Sequence, residues 1–208
     1  MDFDAVIFDC DGTLVDSEPP GFAGIVSAAR TVGVHFASEH ELIDLKGRSM
    51  AETLRTIEAR RGSALPEDFE ATVRAHMAAA FREGLQPMPG ARELLERLTV
   101  PYCIASNGPR DKMELTLSLT GLLPLLHDRL FSAHEVGFFK PDPGLFLYAA
   151  AAMGVPPQRC ALVEDSAPGV EAGLAAGIPV WVLRSPQPLP DRLAARVRFI
   201  DRLAKLLD

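Results

Sequence analysis

Apolar positions follow two kinds of pattern along this chain, and the change between them divides it. Ala5-Val6-Ile7-Phe8 is continuously apolar and rich in β-formers, the mark of a strand buried on both faces. From Asp16 to Leu85 the period becomes helical. Pro19-Pro20 break the chain, and Phe22, Ile25, Val26 and Ala29 then make one apolar face, with Gly33 as its C-terminal cap. A second helix is predicted over 50–60, with Leu54 and Ile57 inward. A third follows Pro66, a good first-turn residue, and carries the stripe Phe69, Val73, Met77 and Phe81. No strand pattern interrupts this segment, which reads as an all-helical unit bounded by Pro87-Met88-Pro89-Gly90.

Beyond Gly90 helices and strands alternate. Ala91, Leu94, Leu95 and Leu98 predict a helix, and 101–105 a buried strand that ends at Ser106-Asn107-Gly108. Pro109 opens a helix carrying Met113 and Leu117, and a weak strand lies near Leu130-Phe131. Asp142-Pro143 is an N-cap followed by proline at the first helical position, leading into Phe146, Ala149, Ala150 and Met153. Cys160 to Val163 is the next strand, with Glu164-Asp165-Ser166 at its end. A helix over 167–176, a strand over 178–183, a Pro-rich loop over 184–190, an edge strand over 197–200 and a short terminal helix complete the pattern. Such alternation means an α/β fold with a parallel sheet covered on both faces, and ligands bind beyond the carboxyl ends of such strands.

The polar clusters fall at those ends. Residues i and i+2 of an extended chain point to the same side, so Asp9 and Asp11 would share one small site, and Gly12 lets the chain turn at once. Together with Glu164 and Asp165 they would put four carboxylates at one edge, which need a cation or protons between them. Carboxylates, a main-chain carbonyl and water suit a hard ion such as Mg²⁺, which commonly sits beside a phosphate. A competing reading makes Glu164-Asp165 a simple cap for the following helix. Ser106, Asn107 and Lys140 would add a hydroxyl, an amide and an ammonium, a cradle for a phosphate held by charge-assisted hydrogen bonds. One carboxylate could then attack phosphorus while a second protonates the leaving oxygen and later activates water. That division of labour needs Asp9 ionised by the metal and Asp11 partly protonated.

Composition narrows the classes. A formal net charge of −7 argues against a broad nucleic-acid surface. Cys10, Cys103 and Cys160 show no C-x-x-C spacing, so buried free thiols are expected rather than a disulfide framework or zinc site. No apolar run approaches the ~20 residues of a membrane span, and no basic leader precedes the first strand. These features imply a cytoplasmic protein, the phosphate cradle above adds a small phosphorylated metabolite as its partner, and the acidic balance favours a monomer.

Four stretches, in order and at fitting spacing, carry a family resemblance: Asp9-Cys10-Asp11-Gly12-Thr13-Leu14-Val15-Asp16-Ser17, Ala105-Ser106-Asn107, Lys140-Pro141-Asp142-Pro143 and Val163-Glu164-Asp165-Ser166. On these the chain resembles the haloacid dehalogenase-like (HAD) hydrolase superfamily over nearly its whole length. Within it the chain is most similar to the β-phosphoglucomutase-like subgroup. Ser106-Asn107-Gly108-Pro109 and Leu45-Lys46-Gly47-Arg48-Ser49 resemble 6-phosphogluconate phosphatases in particular. The resemblance implies a Rossmann-like parallel sheet core, formed by 1–15 and 88–208, with an inserted helical cap domain over 16–87. It implies Asp9 as nucleophile and Asp11 as general acid and base. Mg²⁺ would be held by Asp9, the main-chain carbonyl of Asp11, and Asp165, with Glu164 close by. Ser106 and Lys140 would bind the transferring phosphoryl group with help from Asn107, and Lys46 and Arg48 would meet an anionic substrate from the cap.

The implied activity is a Mg²⁺-dependent phosphatase for a small phosphorylated sugar or sugar acid. A phosphomutase is the alternative. It is disfavoured because Gly21 stands where mutases of the subgroup carry a cap histidine, and Met50 where they carry an arginine. His35 and His40 lie elsewhere on the cap. A dehalogenase is disfavoured by Asp11, and a non-catalytic binding protein by the intact set of motif residues.

Overall fold

The apolar run near the N-terminus forms β1 (Ala5–Phe8), which lies inside a six-stranded sheet. In this computed structural model residues 3–38, 41–42, 45, 49–126, 129–183 and 188–207 are described. The other strands are β2 (Tyr102–Ser106), β3 (Leu130–Ser132), β4 (Cys160–Glu164), β5 (Val180–Leu183) and β6 (Arg198–Ile200). Their order is β3-β2-β1-β4-β5-β6 and every pairing is parallel. This is the Rossmann-like order, in which the chain reverses direction across the sheet between β1 and β4 and leaves a crevice at their carboxyl ends. Register sets the neighbours there: Phe8 pairs with Ile104 on one side and with Val163 on the other.

Both faces of the sheet are buried at β1, β2 and β4, which is why those strands are almost wholly apolar, whereas the edge strand β6 leaves Arg198 and Phe199 exposed. Ala5, Ile7, Cys103, Ala105, Cys160 and Leu162 pack with Phe146 and Ala149 of α7 (Gly144–Ala152) and Val170 of α8 (Ala167–Ala175). Val6 and Phe8 face the other way and are equally buried. The three cysteines are buried and free. Helices α4 (Ala91–Arg97), α5 (Arg110–Leu119), α6 (Ala133–Val136) and α9 (Asp191–Ala194) complete the α/β unit among the described residues.

The chain divides into two compact units, Met1–Asp16 with Gln86–Asp208, and Ser17–Leu85. The second holds α1 (Glu18–Thr31), α2 (Met50–Arg61) and α3 (Phe69–Gly84) around Ile25, Val26, Ala29, Ile57, Phe69 and Val73. Helix α2 begins with a reciprocal capping box, Ser49 with Glu52, and ends on Gly62 in the left-handed region.

Several boundaries differ from the sequence reading for simple reasons. Pro19 and Pro20 do not precede α1 but sit in its first turn, where the missing N–H has no intrahelical partner to lose. Pro66 accepts a hydrogen bond from Phe69 N in the turn before α3, which starts three residues later than Pro66 itself. At α7 the N-cap position is Pro143, with Asp142 Oδ1 accepting from Gly144 N at 2.7 Å. Strand β5 starts at Val180 and the terminal helix is a 3-10 helix, Leu203–Leu207.

Within the helical unit α1 and α3 meet backbone to backbone at Gly24. A Cβ there would lie 2.5 Å from Met77 Cα and 2.7 Å from Met77 N. In an isolated helix Gly→Ala gains up to about 1 kcal/mol, but here the overpacking term of about 1–3 kcal/mol opposes it. Gly24→Ala is therefore expected to lower stability, and a thermal melt showing an unchanged or raised midpoint would contradict the close crossing.

Candidate active site

Directly after β1 the chain turns. Asp9 N donates to Val163 O, which fixes the first acidic residue against β4. Leu14 N and Val15 N both donate to Cys10 O, and Gly12 N to Val15 O, closing a tight loop with Gly12 at φ +79°. Gly12 is required twice, by that left-handed conformation and because any Cβ would run into the Asp165 carboxylate. Thr13 Oγ1 donates to Asp165 Oδ1 at 3.2 Å.

At the end of β4 Glu164 is fully buried. Its Oε2 accepts from Asp165 N (2.8 Å), Ser166 N (2.7 Å) and Ser166 Oγ (2.9 Å). The N-cap role that one reading gave to Glu164-Asp165 belongs to Ser166, whose Oγ accepts from Gly169 N. Gly169 leaves the space the Glu164 carboxylate fills, since a Cβ there would overlap it.

Lys140 joins the two strand ends. Its Nζ donates to Asp9 Oδ1 at 2.5 Å and to Glu164 Oε1 at 2.7 Å, with its side chain 4% exposed. It lies 5.0 Å from the centre of the Phe146 ring. Asn107 holds the lysine's main chain from both sides, accepting from Lys140 N at 2.9 Å and donating to Lys140 O at 3.4 Å. Ser106, at the end of β2 and buried, accepts from Gly108 N at 3.0 Å. Ser132 Oγ donates to Gly108 O at 2.7 Å and so fixes the same corner from β3.

Asp9, Glu164 and Asp165 each bring a carboxylate oxygen within 4.8 Å of the others, and all three are buried. Asp11 stands beside this triad rather than in it, because the chain past Phe8 turns instead of staying extended. Its Oδ2 accepts from Lys112 Nζ at 2.7 Å. Burial pushes the Asp9 carboxyl well above the usual range; Lys140 pulls it back, and the charges of Glu164, Asp165 and Asp11 push it further up. Burial pulls Lys140 down, but Asp9 and Glu164 more than restore it and hold it charged. Among the described residues the buried triad of carboxylates faces a single buried ammonium, Lys140, and such a set of hard oxygen donors fits one divalent cation.

Of the residues singled out in the sequence, Asp9, Asp11, Ser106, Asn107, Lys140, Glu164 and Asp165 come together in this one crevice. Lys46, Arg48 and His40 lie outside the described residues. His35 is exposed on the helical unit. Three members were missed: Lys112, Thr13 and Ser132. Thr13 lay within the first motif and had no chemistry assigned. Lys112 and Ser132 are polar residues near helix starts, and nothing local marks which way they turn.

A family profile described as haloacid dehalogenase-like hydrolase matches residues 3–177. The chain belongs to this family. Among its haloacid dehalogenase-like relatives, 6-phosphogluconate phosphatase of Escherichia coli (strain K12) is 36% identical over 179 residues, 86% of this chain and 81% of that protein. Such relatives make the chain a phosphoric monoester hydrolase. A solved HAD-family hydrolase from Deinococcus radiodurans R1, with bound phosphate and sodium, superposes with a TM-score of 0.78 at 33% identity, covering 99% of this chain and 93% of that one. A β-phosphoglucomutase-like neighbour from Thermotoga maritima, described as putative, gives a TM-score of 0.78 at 27% identity, covering 95% and 94%. Among the described residues no helix is long and apolar enough to cross a membrane.

Proposed function

We propose that this chain is a Mg²⁺-dependent phosphatase that hydrolyses a small phosphorylated sugar or sugar acid through a phospho-aspartate on Asp9. The observation that carries the reading is the buried group of Asp9, Glu164, Asp165 and Lys140. It gathers three buried carboxylates and a buried ammonium beyond the carboxyl ends of the sheet's central strands, which supports Asp9 as nucleophile beside a bound cation. Asp9, Asp165 and the main-chain carbonyl of Asp11 would hold the ion, with Glu164 bordering it. When bound, the ion supplies charge neutralisation and draws electron density from a phosphoryl oxygen.

The chain's own residues perform the rest. Lys140, Ser106 and Asn107 orient the phosphoryl group, with the ammonium aimed at charge that grows as the bond to the leaving oxygen breaks. An Asp9 carboxylate oxygen attacks phosphorus, the phosphorus–leaving-oxygen bond breaks, and Asp11 gives its proton to that oxygen. Asp11, now a carboxylate, takes a proton from water as the water attacks phosphorus. The Asp9–phosphorus bond breaks, inorganic phosphate leaves, and both aspartates return to their starting state. Two like carboxyls can serve opposite roles because Asp9 would be held as a carboxylate by the ion, whereas Asp11 would offer the ion only its main-chain carbonyl. The sugar-acid substrate class is supported by the likeness to 6-phosphogluconate phosphatase.

The test is phosphate release from 6-phosphogluconate, hexose 6-phosphates, β-glucose 1-phosphate, phosphoglycolate and glycerol phosphates, with Mg²⁺ and with EDTA. Release that Mg²⁺ supports and EDTA removes, strongest on a sugar or sugar-acid phosphate, is the expected result. Conversion of β-glucose 1-phosphate to glucose 6-phosphate without free phosphate would make the chain a mutase instead. Phosphate release unchanged by EDTA would remove the cation from the reading.

A further inference from the structure

Lys140 carries its ammonium on a stretch outside helix and strand, 137–143, between α6 and α7. Within that stretch main-chain hydrogen bonds run from Gly137 N to Ala133 O and from Asp142 N to Phe139 O. Among the described residues no main-chain group reaches Lys140 N or Lys140 O. Lys140 is buried, where unpaired main-chain groups are costly, and one side chain meets both. Asn107 Oδ1 accepts from Lys140 N at 2.9 Å, and Asn107 Nδ2 donates to Lys140 O at 3.4 Å. An amide offers an acceptor and a donor on one planar group, so it pairs with the main chain of a single residue much as a neighbouring strand would.

Asn107 is itself held at a fixed corner. Ser106 before it closes β2 in register with Ser132 of β3. Gly108 after it donates from N to Ser106 Oγ at 3.0 Å and accepts at O from Ser132 Oγ at 2.7 Å. The end of the sheet therefore places the amide, and the amide places the loop that carries the lysine.

We propose that Asn107 is a positioning residue that acts on the phosphoryl group through Lys140, by fixing the main chain from which the ammonium reaches the crevice. A lysine presents a point charge on a flexible hydrocarbon stem. At its far end Nζ is held by Asp9 Oδ1 and Glu164 Oε1. Asp9 takes on a new bond during the reaction, so that end is not held in the same way throughout. The hold on the main chain lies outside the bonds that change. The inference rests on the phosphatase reading above, with Asp9 as nucleophile and Lys140 on the phosphoryl group.

A double-mutant cycle separates this role from direct contact with substrate and from a merely structural one. With Mg²⁺ present, Asn107→Ala is expected to lower kcat/KM for the best sugar phosphate by about 10–100-fold, the scale of a small misplacement of a reacting group. Placed on Lys140→Met it should cost less than about threefold further, since a residue acting through another is not additive with it. The melting midpoint should behave differently and fall in both backgrounds, because Lys140→Met leaves in place the main-chain groups that Asn107 holds. Additive losses of kcat/KM would mean that Asn107 touches the phosphoryl group itself, and would overturn the proposal. A loss under about threefold in the parent would overturn it too, since a hold on the loop alone moves the midpoint and not the rate. A midpoint unmoved in both backgrounds would show that the clamp holds nothing, with the same result. Should a variant fail to fold, Asn107→Leu, close in size to asparagine, or Lys140→Gln completes the same cycle. If Lys140→Met alone leaves kcat/KM unchanged, the role of Lys140 in the proposed reaction is what fails, and the inference falls with it.

Discussion

Asp9→Asn is expected to abolish turnover, with phosphate release lowered by about 10⁴-fold or more, the scale seen when a covalent nucleophile is removed. The substitution is nearly isosteric, so geometry is not what is lost. An amide oxygen carries no charge and cannot form the phospho-aspartate. Acid-quenched enzyme should accordingly trap phosphate on the parent chain and none on the variant. Turnover above about one per cent of the parent would sink the nucleophile assignment.

The same substitution should move stability in the opposite direction. Burial, with Glu164, Asp165 and Asp11 nearby, raises the Asp9 carboxyl well above its ordinary value despite Lys140. A raised folded value means the fold prefers the protonated form. The stability that preference contributes is present below the unfolded carboxyl range, near pH 4, and is lost as pH rises through the folded value. Asp9→Asn has no proton to lose. In EDTA it should melt above the parent at pH 7, with the difference shrinking as pH falls toward 4. A variant that melts below the parent at pH 7 in EDTA would show that Asp9 is not strained by its surroundings. Gain in stability with loss of function is what a site built from crowded charges predicts.

Sequence alone carried much of this picture, and the reason is physical. The strands of a parallel sheet are buried on both faces, so β1, β2 and β4 announce themselves as unbroken apolar runs, and the polar clusters that end them lie where such a sheet binds ligands. Asp9, Ser106, Lys140 and Glu164 were legible because each abuts an apolar run. Asp11 was placed beside Asp9 by a rule for extended chain; it reaches the same crevice by way of the turn at Gly12, where its carboxylate also meets Lys112. Lys112 itself was hidden: on a helix start, among Arg110, Asp111 and Glu114, a lysine that turns inward looks like one that turns outward. Gly12 was equally unreadable in its second role, because the collision it avoids is with Asp165, far away in sequence. Prolines 19, 20 and 66 misled for a related reason, since proline marks the neighbourhood of a helix start better than its residue.

Lys140→Met should cost the most stability of any single change in the crevice, and its dependence on metal should tell why. The ammonium sits between Asp9 Oδ1 and Glu164 Oε1 with almost no access to water. Methionine keeps an apolar stem of similar length and removes the ammonium, together with its contact over the Phe146 ring. Removing one partner of a buried ion pair costs about 3–5 kcal/mol because the other is left uncompensated, and here two carboxylates are left. In EDTA the variant should lose stability on that scale. Mg²⁺ should return part of it, because an ion that binds only the folded chain stabilises it by mass action and supplies the positive charge the lysine took away. Asp9→Asn placed on top of Lys140→Met should also restore stability in EDTA, since it removes one of the two stranded charges. Activity should fall by about 10²–10³-fold even with Mg²⁺ present, the scale for losing a donor aimed at charge in the transition state. A variant as stable as the parent in EDTA would mean that the crevice relaxes around its carboxylates without the lysine. A variant destabilised equally with and without Mg²⁺ would mean that the lysine and the ion do not answer the same negative charge, and the triad would then lose its strongest claim to a cation.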